Sequence, residues 1–222
     1  MTWGLDRMKS MTAAVLAATL LFAACTKEQP AVEPAPEPQA AADPAGTLHA
    51  LFDEFFERGL EMNPVRASAI GDYRFNDQYV NSLSPEYREA SRKMDEEFLA
   101  RLLEIDREAL SRQDQLSYDK FRLDREVRLE GDRFPGHLQP VNQFYSPFNF
   151  FVQLGSGTSV HPFKTVKHYD DWLSRIDDFV VYADQAIVNM KEGVQQGVVQ
   201  PRVLMAKALP QIESQIVDSA EE

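Results

Sequence analysis

The feature that most constrains this chain is the run that starts near Thr165. In it Val166, Tyr169, Trp172, Leu173, Ile176, Phe179, Val180, Ala183, Ile187 and Met190 recur on a helical period, with Gly193 near the end. Steps of three and four residues return to one side of a helix, whereas a half-buried strand alternates every second residue. The run is therefore expected to be one long helix, and shorter runs repeat its rhythm. Thr47 can cap a helix whose apolar positions Leu48, Leu51, Phe52, Phe55, Phe56 and Leu60 form a single broad stripe. The opposite face carries Asp53, Glu54 and Glu57 rather than Lys and Arg, which points to core packing rather than to a membrane-surface helix.

Asn63-Pro64 ends that helix, and Pro64 opens a short second one through Ile70, closed by Gly71. After a polar loop from Asp72 to Leu83, Ser84-Pro85 starts a helix expected to reach about Leu110, with Tyr87, Met94, Phe98, Leu102 and Ile105 on one side. Ser111 through Asp114 resembles a capping box and opens another helix with Leu116, Phe121, Leu123 and Val127, ended at Gly131. These two helices are expected to pair antiparallel. Residues 132 to 162 scatter Pro135, Gly136, Pro140, Pro147, Gly155, Gly157 and Pro162 among aromatic residues and read as one ordered aromatic loop. Gly197 and Pro201 bound a connector to a last helix with Val203, Leu204 and Ala208. No segment alternates like a strand, so the expected fold class is all-α, an array of about six to eight helices with one long Pro/Gly-rich loop. Beyond Pro210, Ile212, Ile216 and Val217 keep helical spacing without a capping glycine, so the domain is expected to be incomplete.

The N-terminus has the order of an export signal, with Arg7 and Lys9 before the apolar run Ala13 to Ala24. At about a dozen residues the run is shorter than the roughly 20 that span a bilayer, so it reads as removable. It ends in Leu21-Phe22-Ala23-Ala24-Cys25, which resembles the lipobox of bacterial lipoproteins, with Phe22 where leucine is usual. Cys25 is the only cysteine and the expected lipidation site; the other reading is a plain secretory signal that leaves Cys25 as a free thiol. Thr26 after the cysteine resembles the outer-membrane sorting pattern. The chain is thus expected to be exported and lipid-anchored in the envelope, at the outer membrane facing the periplasm. From residue 25 to 46, Pro30, Pro34, Pro36, Pro38 and Pro44 lie among Ala, Glu and Gln, a composition that cannot bury enough surface to fold. The expected organisation is a signal peptide over 1–24, a lipidated tether over 25–46 and a helical domain over 47–222.

The formal charge is −12, and it becomes one unit more negative when Asp6, Arg7 and Lys9 leave with the signal. Such a surface disfavours nucleic acid and anionic lipid, so the expected membrane contact is through lipid on Cys25 alone.

Several local motifs then occur in a particular order. They are Asn63-Pro64-Val65-Arg66-Ala67-Ser68 with Gly71-Asp72, Ile105-Asp106, Gln115-Leu116-Ser117-Tyr118-Asp119, Pro162-Phe163, Thr165-Val166, Asp170 and Arg175, and Gly193, Gly197 and Pro201. Together they resemble the bacterial Domain of Unknown Function 885 family over nearly all of residues 47 to 218. The resemblance implies a longer, largely helical lipoprotein similar to zinc metallopeptidases, whose C-terminal half carries a His-Glu pair and a further histidine. Two imidazoles on one helix face would hold zinc while the glutamate activates its water. The histidines of this chain, His49, His137, His161 and His168, are none of them followed by glutamate. The chain resembles the N-terminal part only, so no catalytic or metal-binding residue is assigned, no cofactor is expected in this chain, and zinc stays an implication for full-length relatives. Whether the chain is itself an enzyme stays open.

Among its own residues, His168 with Asp170 and Asp171 can form a His-carboxylate couple, but plain helix-surface hydrogen bonding is the expected reading. Pro162 sets His161 before the helix. The acid pairs Glu96/Glu97, Asp170/Asp171 and Asp177/Asp178 point their carboxylates about 100° apart and read as solvated faces. Gly155-Ser156-Gly157-Thr158 lacks the spacing of a nucleophile elbow and reads as a turn. The aromatic segment offers the one binding feature: Phe144, Tyr145, Phe148, Asn149 and Phe151 are the expected wall of a cleft for a peptide, because aromatic rings bury much area while the amides of Asn142, Gln143 and Asn149 add hydrogen bonds. The expected partner is a peptide substrate or the missing C-terminal half. The alternative is a stand-alone, non-catalytic lipoprotein that binds a peptide or envelope partner through residues 144–151.

Overall fold

A computed structural model of the chain describes residues 43–217 and residue 219. The expected signal segment, Cys25 and the expected tether as far as residue 42 lie outside the described residues.

Local chemistry sets most helix ends. Helix α1, Pro44–Met62, begins three residues before the expected Thr47 cap, because the Asp43 carboxylate accepts from Gly46 N and Pro44 takes the first helical position. Asn63 ends α1, and its side chain accepts from Arg66 N to cap α2, Pro64–Ala69. Ser84 caps α3, Pro85–Leu103. This helix stops short of Leu110: the Asp106 side chain accepts from Glu108 N and opens a 3-10 turn, Arg107–Ala109, between the buried Ile105 and Leu110. Ser111 caps α4, Arg112–Gly131. The expected aromatic loop contains a 3-10 turn, Gly136–Leu138, and a real helix, α5, Pro147–Leu154. Thr165 caps α6, Val166–Gln196, which ends on Gly197 with φ +73°; α7 is Arg202–Glu213. The fold is all-α as expected, with seven α-helices and no strand among the described residues. None of these helices is long and apolar enough to cross a membrane.

Helices α1, α3 and α4 close one core around Leu48, Leu51, Met94, Phe98, Leu102 and Tyr118. Their directions follow from paired side chains. Glu54 meets Arg101 and Arg58 meets Glu97, so α1 and α3 run antiparallel. Asp95 meets Arg125 and Ser91 meets Arg128, so α3 and α4 do too, as the sequence predicts. Arg58 and Arg101 also lie over the Phe98 ring, 5.0 and 4.8 Å from its centroid.

A second cluster is built mainly from rings on α5 and α6. Phe151 of α5 stacks on Phe179 and Trp172 of α6 at 3.9 and 4.8 Å between centroids. Tyr79, from the loop after α2, meets Phe151, Phe179 and Tyr182 edge-on. Gly155 makes this packing possible: a Cβ there would lie 2.3 Å from Cζ2 of Trp172. Gly193 serves the same purpose further along α6, where a Cβ would lie 2.7 Å from the Val198 carbonyl oxygen.

Candidate functional site

Two adjoining concavities share Phe150 as a wall. The first, about 570 Å³, lies between α2, the loop after it and the segment after α5, and is lined by Pro64, Val65, Arg66, Tyr79, Val80 and Tyr87 among others. The second, about 460 Å³, lies at the start of α5, where Phe144, Tyr145, Pro147, Asn149 and Tyr182 line it. Each has the volume of a small-ligand or side-chain pocket. Among the described residues Arg66 is the one charged side chain lining the first, and none lines the second.

The expected cleft residues divide between these concavities and the core. Phe144 and Tyr145 stand 81 % and 82 % exposed at the rim of the second. Their backbone is held rigidly, because Asn142 Oδ1 accepts from both amides at 2.8 Å. Asn149 lines the same concavity, and its Nδ2 donates to Gln211 of α7 at 3.0 Å. Phe148 packs edge-on against Phe179, and Phe151 is buried in the ring stack, so both support the site from behind. The buried Ser146 Oγ and Asn149 Oδ1 have no hydrogen-bond partner among the described residues, which adds polar capacity to a wall that also carries Gln153. Burial raises the pKa values of Tyr79, Tyr87 and Tyr182, so these phenols stay protonated at neutral pH. Their chemistry is hydrogen bonding and apolar contact.

What fixes the walls was not foreseen from the sequence. Arg175 of α6 is fully buried. Its Nε donates to the Gln78 carbonyl at 3.0 Å, one Nη to Ser68 Oγ at 2.7 Å, and the other to His161 Nδ1 at 3.0 Å. The carbonyls of Pro64 and Phe75 lie 3.4 Å away. One guanidinium thus ties α2, the loop after it and the segment after α5 to α6. Because arginine only donates, His161 Nδ1 accepts, and Nε2–H donates to the His168 carbonyl at 2.9 Å. Burial lowers the pKa of His161, with the Arg175 charge adding to it, and burial lowers that of Arg175 to about 10. The imidazole is therefore neutral and the guanidinium charged at neutral pH.

Other sequence expectations are revised here. Among the described residues His168 makes a local hydrogen bond, as expected, rather than a carboxylate couple: its Nδ1 accepts from Lys164 N. Asp171, expected on a solvated face, is instead buried and paired with Lys167 at 2.6 Å. Asp178 is no solvated acid, since it accepts from Tyr79 N at 2.8 Å and so fixes the ring that floors the site. Asp170 and Asp177 are exposed as expected, and Glu96 and Glu97 are exposed within ion pairs. Gly155 to Thr158 is a turn, with Gly157 at φ +77°.

The donor set does not fit a zinc site. His49 meets Asp114, His137 meets Arg88 and His161 meets Arg175, and among the described residues no three His, Cys, Asp or Glu side chains are placed to hold a metal ion.

No curated protein and no solved structure matches the chain. A family model described as bacterial protein of unknown function (DUF885) matches residues 64–222, which take in α2 to α7, Arg175 and nearly every wall of the paired concavities. On that match the chain belongs to the bacterial DUF885 family.

Proposed function

We propose that this chain is the N-terminal helical portion of a lipid-anchored envelope protein resembling zinc-dependent peptidases, and that its part is to hold an apolar peptide along the paired concavities beside Phe150. Metal chemistry, on this reading, belongs to residues other than those described. The observation that carries it is the pair Phe144 and Tyr145, two large rings held four-fifths exposed on a pinned backbone at the rim of a concavity that no charged side chain lines among the described residues. Rings carried on a fixed backbone, with only two side-chain torsions each, lose little entropy when a ligand covers them, which is how aromatic anchors become the main contributors to binding. Arg66 at the first concavity matches a peptide carboxylate in charge. The anchor is lipid on Cys25, supported by the order of basic start, apolar run and small residues before the cysteine.

The test is titration of the purified chain with an end-blocked octapeptide alternating leucine and alanine, followed by calorimetry. Binding is expected, and Phe144→Ala or Tyr145→Ala should each weaken it about tenfold. Unchanged binding in the double variant would remove the reading. For the anchor, Cys25→Ser is expected to abolish fatty-acid labelling and release the protein from membranes; label that persists overturns it.

The second reading, a stand-alone binding lipoprotein, is favoured by the closed core under α1, α3 and α4. A single cooperative thermal transition of the chain supports it, whereas a molten product that binds hydrophobic dye counts for the first.

A further inference from the structure

Helix α6 wears its amphipathicity inside out. The face turned to the rest of the protein carries Asp171, Arg175, Tyr182, Ala186, Asn189 and Gly193. The aliphatic positions point away: Val166, Leu173, Val180, Ile187 and Val194 recur every seven residues and are exposed, from 49 % at Ile187 to 78 % at Val166. Tyr169 and Ile176, three residues after the first two, are exposed as well, so the three-and-four alternation of a heptad seam holds from Val166 to Val180, and beyond it, where Ala183 and Met190 are half-buried, the row continues through Ile187 and Val194. At 1.5 Å per residue the seam runs for about 42 Å. Scattered exposed leucines are ordinary, but a continuous stripe of this length marks an interaction surface.

The flank of the stripe says what covers it. Asp170, Asp177 and Asp184 stand four residues after Val166, Leu173 and Val180, so an acidic row runs beside the seam, one carboxylate per two turns. None of the three is in an ion pair among the described residues, while Glu89, Glu96 and Glu97 on α3 all are. A second copy is disfavoured, because two α6 helices packed antiparallel about Val180 and Val181 set Asp177 against Asp184 and add to the repulsion of a chain with formal charge −12. Anionic lipid is disfavoured for the same reason.

We infer that the exposed seam of α6 is the docking surface for a heptad-patterned helix of another polypeptide, apolar at its own seam and lysine- or arginine-rich along the flank that meets Asp170, Asp177 and Asp184. This surface is independent of the peptide reading above, which concerns the concavities beside Phe150.

The test uses the full chain and two synthetic 28-residue helices with leucine at both seam positions, one with lysine and one with glutamate at the flanking positions. Like charges keep each probe from pairing with itself. Fluorescence anisotropy is expected to show binding of the lysine probe and at least about tenfold weaker binding of the glutamate probe. Leu173→Asp with Val180→Asp should weaken the lysine probe by a similar factor, and Asp177→Lys with Asp184→Lys should reverse the preference. Because the substituted side chains are exposed, circular dichroism melts should match the parent. Leu123→Asp, at an exposed leucine on α4, should leave probe binding unchanged. Equal binding of the two probes, binding of neither, or loss with Leu123→Asp as large as at the seam overturns the inference. So does a dimer of the chain itself that Leu173→Asp dissociates.

Discussion

Two buried arginines show how differently the two sectors of this protein are built. Arg125, under α1, α3 and α4, lies 4.2 Å over the Phe55 ring with Nη1 3.0 Å from Asp95 Oδ1, so its charge is matched although the pair lacks hydrogen-bond geometry. Arg175 is the converse, with acceptors for its donors but only neutral ones: two carbonyls at the limit of range, a third at 3.0 Å, a hydroxyl and an imidazole. The first arrangement sits in a conventional core with apolar residues inside and ion pairs outside. The second keeps charge inside and leaves aliphatic residues outside. A guanidinium held by neutral dipoles depends on every one of those dipoles staying in place, so the second sector is the more brittle.

The largest expected effect tests that contrast directly. Arg175→Met removes the donors for Ser68, His161 and the Gln78 carbonyl at once, and is expected to cost about 3–5 kcal/mol or to abolish folding. Arg125→Met keeps apolar contact with Phe55 and leaves Asp95 paired with Arg128 at 3.0 Å, so about 1–2 kcal/mol is expected. Denaturant midpoints measure both, and equal losses would break the comparison.

A leucine pair sharpens it next. Leu102 is fully buried beneath α1 and α4, and Leu102→Ala should cost about 3 kcal/mol through lost burial and a cavity. Leu173 on the α6 seam is 60 % exposed, and Leu173→Ala should change stability by less than about 0.5 kcal/mol in the isolated chain.

The smallest effect is one of pH. Burial holds the folded pKa of His161 below its ordinary 6.5, so as pH falls the unfolded chain takes up the proton first. Stability should be intact above pH 6.5 and decline below it, levelling only once the folded imidazole also protonates. His137, likewise lowered by burial, adds in the same direction. Melting temperature should therefore be lower at pH 5 than at pH 7.5, and His161→Gln, which can accept from Arg175 and donate to the His168 carbonyl, should reduce that difference. A pH response unchanged in His161→Gln would show that the imidazole is not coupled to the fold.

Much of the helical framework was legible because its signals are local. Ser84, Ser111 and Thr165 each cap the helix they were expected to start, since a hydroxyl three residues ahead of an amide needs nothing from the rest of the chain. Helix α5 was hidden by the Pro and Gly around it, although Ser146-Pro147 repeats the start seen at Ser84-Pro85. The burial of Asp171, Arg175 and His161 was not legible, because an ionisable residue on a helix becomes interior only through partners that local spacing does not reveal. Periodicity along α6 likewise placed Trp172 and Phe179 on the same helix as Leu173 and Val180, yet it carried no information about which side the remaining helices occupy. The aromatic wall was partly legible: ring density located Phe144 and Tyr145 at the rim, but the helical turn that sends Phe151 inward depends on α5 being a helix at all.

Arg175 also orders events in time. Its partners Pro64, Ser68, Phe75 and Gln78 lie 97 to 111 residues earlier in the chain, whereas α3 and α4 are consecutive helices joined by a short turn. Contacts between near neighbours close quickly and distant ones late. The α3–α4 hairpin can therefore assemble as soon as it is made, while the α2 loop and the walls it supplies wait for α6 to arrive. Late docking of one side chain would then be the step that converts a helical chain into one with a finished groove.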